Sequence, residues 1–135
     1  MPAITGIAHV ELSVRDLDLS SAWYCRLLDA REVFRGADEA EGIVDCAIFE
    51  RASRVVIAFT QHSAGDGSTF TPRRTGLDHL AFAVADRAAL EAWAAHLDEL
   101  GIERSPLNDY GYADAITCKD PDGIALEFFW QHPRS

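Results

Sequence analysis

Cysteine is scarce and poorly placed for its usual structural work. Cys25, Cys46 and Cys118 are odd in number and far apart, with no C-x-x-C pair. That pattern excludes a disulfide framework or a zinc knuckle and predicts a reducing, cytoplasmic setting. Positive charge is also short, with 12 Lys and Arg against 22 Asp and Glu, a formal net charge of -10. No basic stripe offsets that field, and "PRR" at 72–74 is too brief to attract a polyanion, so nucleic acid and anionic membranes are poor partners. The opening "MPAITGIAHV" shows no charged region followed by a long apolar run, so no signal peptide is expected. No apolar stretch approaches the roughly 20 residues of a membrane span.

What the chain does have is a repeat. "GIAHVELSV" at 6–14 returns as "GLDHLAFAV" at 76–84, each with a histidine at the fourth place, His9 and His79. Missing such a repeat would miscall the fold. After the first string, Leu19, Trp23 and Leu27 recur at fourfold spacing with Tyr24 and Leu28 beside them, which predicts an amphipathic helix. After the second, Leu90, Trp93, Ala94 and Leu97 form the apolar stripe, with Asp86 as N-cap and Gly101 as the stop. Residues 44–60 and 114–130 each read as two strands about a polar turn, and "DPDG" is the stronger turn signal. Short strands are expected near "REVFR" (31–35) and "IERS" (102–105).

These pieces make one α+β domain over 1–135, built from two βαβββ modules in tandem. Module 1 is expected at about 4–61, a Gly-, Ser- and Thr-rich join at 62–75, and module 2 at about 76–131. The modules would form a half-open barrel around a shared cavity with the helices outside.

Alternation assigns faces within each strand. Ala8, Val10, Leu12 and Val14 take the helix side, and Ile7, His9, Glu11 and Ser13 the other. Leu80, Phe82 and Val84 are opposed in the same way to Leu77, His79, Ala81 and Ala83. On the last strand Ala125, Glu127 and Phe129 oppose Ile124, Leu126, Phe128 and Trp130, and overlaying "GIALEFF" on "RVVIAFT" puts Glu127 over Ala58. Two histidines and a carboxylate on one concave surface would make a three-ligand metal site with open positions. Glu11, two residues after His9, is the candidate general base. Val56, Ala58, Thr60, Ala81, Ala83, Ala125 and Phe129 are expected to line the cavity, whose apolar character favours a hydrophobic or aromatic substrate. His62, His96 and His132 are assigned to a loop, a polar helix side and the tail.

The strings "HVELSVRDLDLSSAWYCRLLDA", "LDHLAFAVAD" and "DPDGIALEFF" together resemble the vicinal oxygen chelate superfamily, which includes glyoxalase I, extradiol dioxygenases, fosfomycin-resistance proteins, methylmalonyl-CoA epimerase and bleomycin-binding proteins. The resemblance implies paired βαβββ modules, often a homodimer, around a divalent ion (Fe(II), Mn, Zn, Ni or Co) held by His9, His79 and Glu127. Glyoxalase I-like members add a fourth ligand where Ala58 stands here, and Gln61 or Glu50 are alternatives if the alignment shifts. Extradiol enzymes share the two-His, one-Glu set but place a Tyr where Thr117 stands and a His somewhat earlier. Residues 105–116 hold no His, and Tyr110 and Tyr112 are the available substitutes. Two functions stay open. One is a metal-dependent enzyme, dioxygenase-like or lyase/isomerase-like, on a small oxygenated substrate. The other is a non-catalytic antibiotic- or natural-product-binding protein of the bleomycin-resistance kind.

Overall fold

A computed structural model describes residues 1–134, so Ser135, the last residue of the expected domain, lies outside the described residues. The chain divides into two compact units, Met1–Ser68 and Thr69–Ser135, with the division inside the Gly- and Ser-rich stretch. Each unit is one βαβββ module with a four-stranded sheet, so the architecture is α+β in tandem.

Module 1 runs β1 (Val10–Ser13), α1 (Leu17–Leu28), β2 (Arg31–Asp38), β3 (Ile43–Phe49) and β4 (Val56–His62). Its sheet order is β1-β4-β3-β2, with β1 parallel to β4 and the other pairs antiparallel. Helix α1 starts where the Asp16 carboxylate accepts from Leu19 N at 3.0 Å, and it ends on Asp29, whose left-handed φ of 51° breaks the ladder. Its inward stripe is Leu17, Ser20, Ser21, Tyr24 and Leu27, not the expected Leu19, which is 55% exposed. Small serines at two inward positions let the helix sit close to the sheet. Tyr24 meets Phe59 at 4.9 Å, and with Ile48 and Ile57 they make the core of the module.

A β-bulge at Val33 decides what β2 shows to each side. Glu32 pairs with Ile48 on the helix side, where its carboxylate accepts from Ser21 Oγ at 2.7 Å. After the extra residue Phe34 pairs with Ala47, and Gly36 and Asp38 follow it on the opposite face. Hydrogen bonds from Arg35 and Ser21 hold the Glu32 carboxyl below its usual range.

Module 2 runs β5 (Leu80–Ala83), α2 (Arg87–Glu99), β6 (Asn108–Asp109), β7 (Ala113–Lys119) and β8 (Ala125–Gln131). Its order, β5-β8-β7-β6, repeats that of module 1 with β5 parallel to β8. Asp86 caps α2 by accepting from Ala89 N at 2.8 Å, and Gly101, at φ 68°, lets Ile102 N return to Leu97 O at 2.9 Å. The expected strand at 102–105 is reduced to one bridge, Arg104 to Cys118. Pro106 has no amide to continue the ladder, and pairing resumes only at Asn108. Leu90, Leu97, Ile116, Leu126 and Phe128 are all fully buried, and Trp93 stacks on Phe128 at 4.1 Å and 17°. Burial holds the Cys118 thiol up at about 11, so it is an inert core group.

Candidate metal centre and cavity

The parallel β5–β8 register places Ala81 beside Glu127, and β7 puts Thr117 on Glu127's other side. Leu126 and Phe128 are buried under α2 while Glu127 and Phe129 stay half-buried on the opposite face, as alternation predicts. His79, immediately before β5, presents Nε2 to Glu127 Oε1 at 3.9 Å. Its other ring nitrogen, Nδ1, is 2.8 Å from the Asp78 carboxylate. With Nδ1–H donating to that carboxylate, the Nε2 lone pair is left free and aimed, the arrangement that typically orients a metal-binding histidine. Metal–ligand bonds near 2.0–2.2 Å allow two donors roughly 4 Å apart to meet one ion. The His79 and Glu127 pair therefore matches a divalent cation in its donor chemistry. Asp78 is not among the expected site residues, and its only signal is its place directly before the repeated histidine.

Module 1 holds a counterpart. His9 Nε2 lies 4.0 Å from Glu11 Oε2, and the other Glu11 oxygen accepts from Thr60 Oγ1 at 2.7 Å. In this sheet Glu11 pairs with Ala58, whereas in module 2 Ala81 pairs with Glu127. Each module thus sets one carboxylate against one alanine beside its histidine, from the first strand in one and the last strand in the other.

The two alternatives to Ala58 are engaged elsewhere. Gln61 points to the helix side of β4 and accepts from Leu17 N at 2.8 Å, closing the first turn of α1. Glu50 folds over its own turn, accepting from the Ala52 and Ser53 amides, each at 2.7 Å, and from the Ser53 hydroxyl. Hydrogen bonds from the Ser53 side chain and both amides hold its carboxyl below the usual range.

A cavity of about 700 Å³ lies on the face of the module 1 sheet that turns away from α1. Of the expected lining residues Thr60 reaches it, and so does Glu11, the candidate base. Val56 and Ala58 lie on the same face, half-buried, without lining it. His62, expected in a loop, ends β4 and forms one wall, and Ser13, Phe34, Asp38 and Asp45 supply others. In module 2 Ala81 is exposed, and Tyr110 and Tyr112 are 49% and 63% exposed. Tyr112 lies 6.3 Å from Phe129 and 6.5 Å from Tyr110, so the three rings form one aromatic group.

His96 packs on Trp93, and His132 belongs to an ion-pair network rather than a free tail. Its Nε2 is 3.1 Å from Asp114 Oδ1, its Nδ1 3.2 Å from Gly111 O, and Arg87 donates to Asp114 Oδ2 at 2.6 Å. Burial would raise the Asp114 carboxyl, but the hydrogen bonds from Arg87 and His132 outweigh it and hold the group below its usual range. Asp109 completes a group whose ligand-type atoms lie within 4.8 Å of one another, but the Arg87 cation already takes one Asp114 oxygen.

These modules and their strand order agree with the sequence comparison. The Glyoxalase/Bleomycin resistance protein/Dioxygenase superfamily matches residues 6–128, and the chain belongs to that superfamily. It is 29% identical over 133 residues to the catechol-2,3-dioxygenase of Bacillus subtilis (strain 168), covering 97% of this chain and 43% of that protein. It is 27% identical over 130 residues to biphenyl-2,3-diol 1,2-dioxygenase 2 of Rhodococcus globerulus, covering 94% of this chain and 63% of that protein. The chain therefore spans less than two thirds of the length of either relative. A glyoxylase/bleomycin resistance protein/dioxygenase domain from Frankia sp. EAN1pec superposes with a TM-score of 0.87 at 30% identity, covering 96% of this chain and all of that one.

Proposed function

We propose that the protein is a metal-dependent enzyme that acts on a small aromatic substrate carrying two adjacent oxygens, in dioxygenase-like chemistry. The observation that carries this reading is the Asp78–His79–Glu127 arrangement, a histidine with one nitrogen tied to a carboxylate and the other turned toward a second carboxylate. His79 and Glu127 would hold the ion and leave open positions for substrate, while His9 presents its own Nε2 beside Glu11 within the first module. A divalent ion held there supplies Lewis acidity and, if it is iron or manganese, a route for electrons to dioxygen. Glu11 is the proposed base: with one oxygen anchored by Thr60, the other is free to take a proton from a substrate hydroxyl. The aromatic group of Tyr110, Tyr112 and Phe129 offers stacking surface for a ring. The names of the two curated relatives, a catechol and a biphenyl-diol dioxygenase, agree with such a substrate.

Protein reconstituted anaerobically with Fe(II) is expected to bind about one metal per chain and to consume dioxygen with catechol, and His79→Ala to do neither. Metal content by mass spectrometry and an oxygen electrode check both. A protein that takes up no divalent ion would overturn the enzyme reading and favour a ligand-binding protein. That second reading draws on Thr117, which stands directly across from Glu127 where extradiol enzymes are expected to offer a phenol.

The same reading includes a cytoplasmic homodimer. It is supported by three unbridged thiols, by Val33 and Phe34 more than half exposed on the edge strand β2, and by the lack, among the described residues, of a helix long and apolar enough to cross a membrane. Light scattering is expected to give twice the single-chain mass of 14.8 kDa, and the single-chain mass itself would sink the dimer.

A further inference from the structure

Module 2 ends on a histidine that the chemistry proposed above does not use. His132 follows β8 directly and is tied at three points. Its backbone amide donates to Tyr112 O at 2.9 Å, its Nδ1 lies 3.2 Å from Gly111 O, and its Nε2 lies 3.1 Å from Asp114 Oδ1. Both ring nitrogens therefore face groups that only accept, a carbonyl and a carboxylate whose other oxygen already takes Arg87 at 2.6 Å. A neutral imidazole has one N–H and would turn a lone pair toward one of these acceptors. The imidazolium has two and satisfies both. The charged groups around the ring are Asp114 on β7, Asp109 on β6 and, beyond Asp114, Arg87 on α2, which Glu91 shares. On its own strand the Trp130 ring lies 4.7 Å away.

Those bonds hold the turn between β6 and β7. Gly111 takes a φ of 82° there, and its amide donates to Asp109 Oδ1 at 2.7 Å. Tyr110 and Tyr112 flank it, and their rings join Phe129 on the face of β8 that carries Glu127. Both tyrosines are about half exposed or more. With so little packed against them, the rings stand where the backbone of the turn puts them.

We infer that His132 is a positioning residue: as an imidazolium it clasps the 110–112 turn to β7 and β8, and so sets the Tyr110 and Tyr112 rings to receive an aromatic ring. The inference rests on the stacking role proposed above for that aromatic group. A histidine changes charge between about pH 5 and 8. Loss of the proton leaves one of the two acceptors without its donor, so the clasp is closed on the acid side and opens as pH rises. Affinity for a ring falls with it by about fivefold, the worth of one ordinary hydrogen bond.

The test uses the whole chain, with and without Zn(II), and p-cresol, a ring whose single oxygen cannot chelate. Measurements run from about pH 5.5 to about pH 8, the span of histidine titration. Nitrogen-15 spectra are expected to show both ring nitrogens of His132 protonated at the acid end. Amide-exchange protection at Tyr110 and His132, which donate to Ala113 O and Tyr112 O, should fall as the ring loses its proton. The p-cresol dissociation constant should rise about fivefold over the same span. His132→Gln, which carries no charge, should bind weakly throughout, and His132→Arg, which keeps charge and donors, should bind throughout as the parent does in acid. The wild-type spectra stand by themselves if either variant fails to fold by circular dichroism. A ring with one N–H at the acid end, protection indifferent to its protonation, or p-cresol binding that responds to pH alike in parent and folded variants overturns the inference. Failure of the chain to take up Zn(II) or any other divalent ion, with p-cresol binding still governed by His132, overturns the metal reading alone.

Discussion

Glu127→Gln is expected to weaken divalent-metal binding by more than about 100-fold while leaving module 2 folded. Exchanging an outer partner of a metal-binding histidine costs about 10–100-fold, and losing a charged ligand itself should exceed that range. The amide keeps the shape of the side chain, so the effect reads the charge and not the packing. Ala81 and Thr117, the neighbours in register, are small enough to accept either group. The Glu127 side chain is 13% exposed and lies on the strand face opposite the core, so the isosteric amide should leave the melting temperature of the metal-free protein nearly unchanged. A chelator competition titration checks the affinity, and a thermal melt checks the stability. Unchanged metal affinity in the Gln variant would remove Glu127 from the site. Asp78→Ala should show the same direction at the smaller, outer-partner magnitude, because it still allows His79 to bind but no longer fixes its ring.

Much of this geometry is legible in the order of residues alone. Period-two alternation puts Leu12 and Val14 inside and Glu11 and Ser13 outside, and it puts Leu126 and Phe128 inside with Glu127 on the other face. The repeat of a histidine before each first strand needs only the string itself. Contacts that depend on distant register or on a local irregularity leave no such mark. Gln61 caps a helix 44 residues earlier in the chain, and no spacing rule reports such a pair. The face of β2 is set by the bulge at Val33. In a regular strand Glu32, Phe34 and Gly36 would share one face, yet Glu32 meets α1 while Phe34 and Gly36 meet the cavity. The meeting of Asp45 with Gly36 is hidden for the same reason, since it depends on that shifted pairing. Spacing alone places Leu19 inside, but the Asp16 cap sets the helix so that Leu17 and Ser20 turn inward instead.

Phe128→Ala is expected to destabilise the protein by about 3–5 kcal/mol, the usual cost of emptying a buried aromatic site. The ring is fully buried, stacked on Trp93 at 4.1 Å and on Phe82 at 5.5 Å, so helix α2 and strands β5 and β8 all lose a partner at once. With a domain's whole stability near 5–15 kcal/mol, such a loss is a large fraction of what holds the fold. Urea denaturation followed by tryptophan fluorescence is suited to the measurement, since Trp93 lies against the missing ring. Phe128→Leu keeps most of the volume and should cost under about 1.5 kcal/mol. A cost below about 1 kcal/mol for the alanine variant would mean that α2 does not rest on β8 as described. Glu127 and Phe128 are consecutive residues on one strand, and their variants should fail in opposite ways. The first loses metal without losing the fold, whereas the second loses the fold and releases metal only in proportion to the unfolded fraction. That separation is what strand alternation requires when one face of β8 forms the core and the other carries the ligand.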